Sequence, residues 1–204
     1  MGRNIEAILF DLDDTLMAEM ASELAAFRAA GELARQRHDV DPDALSRAAF
    51  RHAETLWHES GEHDYCRNIG FAPWEGLWST FESDRPEMQR LRDWAPAYRH
   101  AVWARALAES GVEDDTLADE ISERYRQERA TRHELFPDTL PAIESLSGDF
   151  RLAILTNGAV DVQRRKLAGV GIESSFDAVV ITGGLGVGKP DPHPFEVTLE
   201  RLGV

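Results

Sequence analysis

Carboxylates crowd the end of an apolar run near the start of the chain. The run Ile5–Phe10 is followed at once by Asp11-Leu12-Asp13-Asp14-Thr15. Residues two apart in an extended chain project to the same side, so we expect Asp11 and Asp13 to point the same way. Two carboxylates held together suit a hard metal cation, or a division between a nucleophile and a proton-transfer group. The alternative is an Asp-rich turn that caps the next helix.

Two further polar clusters follow apolar segments later in the chain. Thr156-Asn157-Gly158 ends one segment, and Gly188-Lys189-Pro190 follows a glycine-rich loop after another. A hydroxyl, backbone N–H groups and a lysine can neutralise phosphoryl oxygens, while carboxylates supply a nucleophile and metal ligands. Taken alone, Thr156 would be interpreted as a turn residue at the end of a strand, and Lys189 as a surface charge. Together, the three clusters indicate phosphoryl transfer.

A parallel sheet is the element that would bring these clusters together. Each follows a segment typical of a strand, and ligands in open α/β sheets bind at the carboxyl ends of the strands. Residues 17–132 instead show amphipathic helices with almost no strand pattern. We predict an α/β fold with a Rossmann-like parallel sheet core, formed by residues 1–16 and 133–204. An all-helical cap domain over residues 17–132 is inserted into it.

The predicted insertion leaves and rejoins the core beside the acidic cluster. This placement favours a lid over the active site, and the alternative is a helical domain that only adds stability. All five tryptophans lie in the insertion, where most are expected to build its core. Trp74 and Trp78 fall in an irregular segment, 61–87, and are candidates for lining a substrate pocket.

Composition limits the partners of the chain. The 204 residues carry a formal net charge of −15, which repels nucleic-acid backbones, so no nucleic acid is expected. The single Cys66 excludes an internal disulfide and a cysteine-based zinc site. Neither a membrane span nor a signal-peptide pattern is found, so we expect a cytoplasmic protein with no membrane contact. The sequence predicts no oligomeric state.

A superficial nucleotide-binding pattern occurs near the third cluster. Residues 183–189 fit Gly-x-x-x-x-Gly-Lys, but Pro190 stands where a P-loop needs Ser or Thr. That change removes the Mg²⁺-binding hydroxyl, and a proline disfavours helical geometry in the residue before it. A P-loop is therefore not expected.

The three clusters, in this order and with a helical insertion after the first, resemble the motifs of the haloacid dehalogenase superfamily of hydrolases. The stretches that match its first, second and third motifs are Asp11-Leu12-Asp13-Asp14-Thr15, Thr156-Asn157-Gly158 and Lys189-Pro190-Asp191-Pro192. The insertion looks like the first type of cap in that family. The resemblance covers essentially the whole chain.

The resemblance implies a phosphatase that acts on a small phosphorylated metabolite through an aspartyl-phosphate. Asp11 would be the nucleophile, and Asp13 would protonate the leaving oxygen and then help to activate water. Thr156, Asn157 and Lys189 would bind the phosphoryl group. Mg²⁺ would sit on the carboxylate of Asp11 and the backbone carbonyl of Asp13.

Two rivals stay open beside the phosphatase. Relatives that cleave carbon–halogen bonds typically lack an aspartate at the position of Asp13 and need no Mg²⁺, so Asp13 favours phosphate-ester chemistry. The second rival is a non-catalytic relative that uses the fold for binding or regulation. The family also carries a fourth motif, an acidic pair after a further strand, and the chain ends at Val204 before it. We therefore expect the 204-residue form to hold Mg²⁺ weakly, to expose a sheet edge and to be poorly active.

Overall fold

The predicted parallel sheet is present. In the computed structural model, which describes residues 5–204, three strands pair in the order β1-β2-β3. They are β1 (Ala7–Phe10), β2 (Arg151–Thr156) and β3 (Ala178–Ile181). Both pairings are parallel, with Phe10 opposite Ile154 and Thr156 opposite Ile181. Because the strands are parallel, their carboxyl ends lie at one edge of the sheet. The α/β prediction is confirmed.

Helices make up most of the remaining described chain. They are α1 (Glu19–His38), α2 (Pro42–His58), α3 (His63–Ile69), α4 (Pro86–Glu109), α5 (Asp115–Thr131), α6 (Thr139–Leu146), α7 (Val160–Val170) and α8 (Pro192–Leu202). Short 3₁₀ turns cover Pro73–Leu77, Glu173–Ser175 and Thr182–Gly184. Within residues 5–204, none of these helices combines the length and the apolar character that crossing a membrane requires.

Aspartates at helix starts show where local sequence decides structure. The carboxylates of Asp41 and Asp191 accept hydrogen bonds from backbone N–H groups in the first turns of α2 and α8, and proline follows each aspartate. The same placement directly before a helix predicts that Asp138 caps α6, and this prediction is wrong. Its own backbone is already helical (φ −92°, ψ −6°), and its side chain makes no capping hydrogen bond.

The segment expected to be irregular contains two short elements. Within residues 61–87 lie α3, which is seven residues long, and the 3₁₀ turn Pro73–Leu77. A helix of two turns shows too few repeats to establish a periodic pattern. The sequence prediction therefore missed both elements.

The described residues form two compact units. The first unit comprises residues 5–20, Asn68–Phe71 and His133–Val204, and the second comprises Ala21–Arg67 and Ala72–Arg132. The sequence placed residues 17–132 in one insertion. The structure groups residues 17–20 and 68–71 with the strands instead.

In the first unit, an apolar anchor fixes the acidic turn. Leu12, Leu16 and Met17 are buried in the core together with Ile154 of β2. The N–H groups of Leu16 and Met17 donate to the carbonyl of Leu12 at 3.0 and 3.2 Å, which closes the turn directly after β1. Each fully buried side chain of this size contributes about 1.5–3 kcal/mol. This packing and these hydrogen bonds fix the backbone that carries the carboxylates.

The second unit has an aromatic core. Phe27, Trp103 and Tyr125 are fully buried, with Phe27 ring centroids 5.6 Å from Trp103 and 4.7 Å from Tyr125. Trp78 is also buried, and Trp74 is partly buried and stacks on Phe50 at 4.8 Å. Core packing therefore accounts for Trp78. A pocket role for Trp74 stays a prediction.

Candidate active site

The turn after β1 places the carboxylate of Asp11 beside a lysine from the loop after β3. Asp11 Oδ2 lies 2.8 Å from Lys189 Nζ, which also donates to the carbonyl of Leu155 at 2.8 Å. The Asp11 side chain is 43% exposed. An ammonium group beside a partly exposed carboxylate reduces the repulsion that the carboxylate meets when it approaches a phosphoryl group.

The amide of Asn157 fixes the backbone that carries this lysine. Asn157 Oδ1 accepts from the N–H of Lys189 at 2.8 Å, and Nδ2 donates to its carbonyl at 3.3 Å. Two glycines give the amide room, since a Cβ at Gly188 or Gly70 would lie 2.9 or 2.3 Å from its terminal atoms. Asn157 thus ties the end of β2 to the loop after β3.

The second carboxylate, that of Asp13, is held by two side chains of α7. Lys166 Nζ lies 3.1 and 3.0 Å from the two oxygens of Asp13, and Gln163 Nε2 donates to Oδ2 at 2.9 Å. Lys166 also lies 2.9 Å from Glu19 Oε1. Sequence reasoning missed both α7 residues. The available signal was their spacing of three, which places polar side chains on one face of the helix after the second motif.

The hydroxyl of Thr156 belongs to the same network. Gln163 Nε2 lies 2.6 Å from Thr156 Oγ1 and 2.7 Å from the carbonyl oxygen of Asn157. Thr156 is 1% exposed, so the residue is buried at the carboxyl end of β2 rather than open to solvent. Gln163 therefore links the end of β2 to the turn that carries Asp13.

All five predicted site residues lie in the first unit, at the carboxyl ends of its strands. The structure joins Asp11 and Asn157 to Lys189 directly, and it joins Asp13 to Thr156 through a glutamine. The convergence of the three clusters is therefore observed. The roles assigned to the individual residues stay predictions.

The predicted metal ligands are oxygen atoms, as Mg²⁺ requires. Mg²⁺ is usually held by one or two carboxylates and completes its shell with waters and substrate phosphate oxygens. Among residues 5–204, no group of three or more His, Cys, Asp or Glu side chains is arranged to hold a metal. The partly exposed carboxylate of Asp11 and the carbonyl of Asp13 thus fit a site that substrate and water complete, rather than an all-protein cage.

The free cysteine of the second unit does not compete as a nucleophile. Cys66 is buried, and desolvation raises the pKa of its thiol to about 12. The thiolate is the reactive form of cysteine, and it is scarce at neutral pH with such a pKa. Cys66 is therefore not a candidate nucleophile.

Comparison with known proteins finds the same family across the described chain. A model of the haloacid dehalogenase-like hydrolase family matches residues 5–204. Phosphoserine phosphatase of Thermus thermophilus is 33% identical over 201 residues, which are 98% of this chain and 77% of that protein. The (S)-2-haloacid dehalogenase of Xanthobacter autotrophicus is 31% identical over 121 residues, 59% of this chain and 45% of that protein.

A solved structure agrees in fold. The HAD-hydrolase YfnB of Bacillus subtilis, described as bound to magnesium, has a TM-score of 0.57 at 23% identity. The similarity covers 98% of this chain and 73% of that one. At this identity the likeness shows the arrangement of helices and strands and nothing of the substrate.

Proposed function

The chain belongs to the haloacid dehalogenase-like hydrolase family, and we propose that it is a Mg²⁺-dependent phosphatase of a small phosphorylated metabolite. The observation that carries the proposal is the 2.8 Å pair of Asp11 and Lys189 at the carboxyl edge of the sheet. It supplies a carboxylate nucleophile with a cation for the phosphoryl oxygens. The similarity to a phosphoserine phosphatase over 98% of the chain supports a phosphate monoester as substrate.

In the first step, a carboxylate oxygen of Asp11 forms a bond to phosphorus, and the bond from phosphorus to the ester oxygen breaks. Asp13, which enters this step in its protonated form, gives that proton to the departing oxygen. Lys189 and Thr156, with the backbone N–H of Asn157, bind the phosphoryl oxygens while charge develops on them. The products are a free alcohol and an aspartyl-phosphate.

In the second step, the carboxylate of Asp13 takes a proton from a water molecule. The water oxygen bonds to phosphorus, and the bond from phosphorus to Asp11 breaks. Inorganic phosphate leaves, and both carboxyl groups return to their starting states. When bound by the Asp11 carboxylate and the Asp13 carbonyl, Mg²⁺ offsets the negative charge of the phosphoryl oxygens.

A dehalogenase is the second candidate, favoured by the similarity to a haloacid dehalogenase over 121 residues. A halide leaves as an anion and needs no proton, whereas an alkoxide leaving group does. The second carboxylate, held in place by Lys166 and Gln163, therefore supports ester hydrolysis. A cytoplasmic location and a small-molecule partner remain predictions from the sequence.

The test is phosphate release from p-nitrophenyl phosphate and from phosphoserine by the natural full-length protein, with Mg²⁺ and with a chelator. We expect Mg²⁺-stimulated release that disappears in Asp11→Asn and persists in Asp149→Asn, an exposed aspartate of the same unit. Halide release from 2-chloropropionate without metal would replace the phosphatase by a dehalogenase. Binding of phosphoserine with no turnover of any substrate would indicate a non-catalytic relative.

A further inference from the structure

The carboxylate of Asp13 is contacted by two side chains of α7. Both of its oxygens are within 3.1 Å of Lys166 Nζ, and Oδ2 also accepts from Gln163. Three charge-assisted contacts from two directions leave the carboxylate little freedom to rotate. The proposed acid and base of the reaction thus has a fixed orientation.

The cation of this cluster is deeply buried. The side chain of Lys166 is 1% exposed and lies between Asp13 and Glu19, whose side chains are 28% and 5% exposed. A buried ammonium group is costly unless carboxylates compensate it. The buried carboxylate of Glu19 offsets the charge of Lys166. Of the three charged side chains Lys166, Glu19 and Asp13, Asp13 is the most exposed to solvent.

The holding groups stand on a rigid element. Gln163 and Lys166 are three residues apart on α7, so they share one face of that helix. Their neighbours Val162 and Leu167 are fully buried and anchor the helix in the first unit. Side chains on packed helices hold a partner more accurately than side chains on loops.

We propose that Gln163 and Lys166 are positioning residues, which hold the carboxyl group of Asp13 where its protonated form can pass a proton to the leaving oxygen. The inference rests on the proposed phosphatase function. Neither residue touches the phosphoryl group in this scheme. Their loss should therefore damage the protonation of the leaving group more than the binding of substrate.

The experiment compares an alkyl phosphate, phosphoserine, with an aryl phosphate, p-nitrophenyl phosphate, through kcat/KM, which reports formation of the aspartyl-phosphate. An alkoxide needs a proton to depart, whereas a nitrophenolate leaves without one. General acid catalysis contributes about 10²–10⁴-fold. In Lys166→Met we expect kcat/KM to fall about 100-fold for phosphoserine and less than about tenfold for the aryl ester. Gln163→Leu also loses the contact with Thr156, so we expect the same preference for the aryl ester together with a further loss that both esters share.

Two further variants guard the interpretation. Lys166→Met with Glu19→Gln also removes the buried negative charge that paired with Lys166, and it should show the same larger loss of kcat/KM for phosphoserine than for the aryl ester. Arg164→Met removes a positive charge from the same helix, but this arginine is about half exposed and pairs with Glu173. It should behave as the wild type. Circular dichroism confirms folding for each variant.

The outcomes separate the two proposals. If wild-type protein released phosphate from neither ester, or Asp13→Asn kept full activity on phosphoserine, the proposed function would fail. If the wild type hydrolysed both esters but the folded Gln163 and Lys166 variants lost activity equally on both, or lost none, the positioning role would be overturned. Unfolding of Gln163→Leu, Lys166→Met and the double variant would make the two residues structural and overturn it as well.

Discussion

A buried cation meets acidic side chains in both compact units, and the two clusters differ in whether they reach the surface. In the first unit, the ammonium group of Lys166 pairs with Asp13, whose side chain is 28% exposed. In the second, Arg129 pairs with Glu23 at 3.0 Å, and both side chains are fully buried. The guanidinium also lies 5.0 Å from the ring centroid of Trp78. We call the fully buried Arg129–Glu23 pair the closed cluster, and we call the group of Lys166, Glu19 and Asp13 the open cluster because Asp13 is partly exposed. The closed cluster can contribute only to stability, whereas the open cluster can also contact a substrate.

Substitutions in the two clusters are expected to have opposite effects on stability and activity. Breaking a buried pair leaves an uncompensated charge, which is strongly destabilising. Changing the exposed end of a cluster leaves the buried members paired, so the fold should tolerate it. Activity and stability should therefore separate between the two units.

The largest effect is expected at the open end of the first cluster. Asp13→Asn keeps an oxygen to accept hydrogen bonds from α7, and Lys166 keeps Glu19 as its partner. We expect kcat/KM for phosphoserine to fall by about 10²–10⁴-fold, the contribution of general acid catalysis. Steady-state kinetics measures the loss, and an unchanged thermal midpoint shows that the fold is intact. Full activity would remove Asp13 from the proposed mechanism.

The closed cluster should show the reverse. Arg129→Met removes the guanidinium that offsets the charge of the buried Glu23, so we expect the free energy of unfolding to fall by about 3–5 kcal/mol. Urea titration followed by circular dichroism measures it. The matched control is Arg51→Met in the same unit, where the pair with Glu109 is about half exposed. That variant should lose less than about 1 kcal/mol. Equal losses in the two variants would contradict the comparison.

Two glycines with positive φ extend the comparison. Gly70 of the first unit has φ +67° and Gly111 of the second has φ +76°. Alanine costs about 1–2 kcal/mol in this conformation at either position. A Cβ at Gly70 would also lie 2.3 Å from Asn157 Nδ2, whereas at Gly111 it would meet nothing within 4 Å. We expect Gly70→Ala to raise KM for phosphate esters, and Gly111→Ala to leave it unchanged.

Displacement of Asn157 is the physical reason for this difference, because its amide fixes the backbone of Lys189. Steady-state kinetics of both variants on p-nitrophenyl phosphate measures KM, and urea titration measures the stability that each variant loses. Equal KM values would show that the Asn157 amide does not order the phosphate site.

The smallest effect is expected for Asp177→Asn, on the stability of the fold at low pH. The backbone N–H of Leu152 donates to Asp177, and this bond, helped by the guanidinium of Arg151, lowers the pKa of the Asp177 carboxyl. A lowered folded-state pKa adds stability above the unfolded value of about 4, and that stability is lost as the pH falls through the folded pKa. Asp177→Asn should therefore weaken the acid dependence of unfolding below about pH 4. Urea titrations across that range measure it, and identical curves would contradict the assignment.

Local signals were enough to predict much of the fold and the family. The strand-like segments before the three clusters predicted a parallel sheet, which the structure shows. The three motifs predicted the hydrolase family, which the family match confirms. These signals are readable because each depends on neighbours within a few residues.

The missed features depend on contacts that sequence spacing does not contain. Gln163 and Lys166 contact Asp13 from 150 and 153 residues away, and nothing near them in the chain shows that partner. Residues 68–71 lie in the predicted insertion, yet the carbonyl of Ile69 accepts from Gly158 in the first unit. Such groupings follow from the folded backbone.

The most direct test is to trap the proposed covalent intermediate. Natural full-length protein is mixed with phosphoserine and Mg²⁺ and quenched in acid within one turnover, and its peptides are analysed by mass spectrometry. We predict a phosphate adduct on Asp11 that forms and decays at the rates of turnover and is absent in Asp11→Asn. Steady turnover without any adduct on Asp11, or with the adduct on another side chain, would contradict the proposed mechanism.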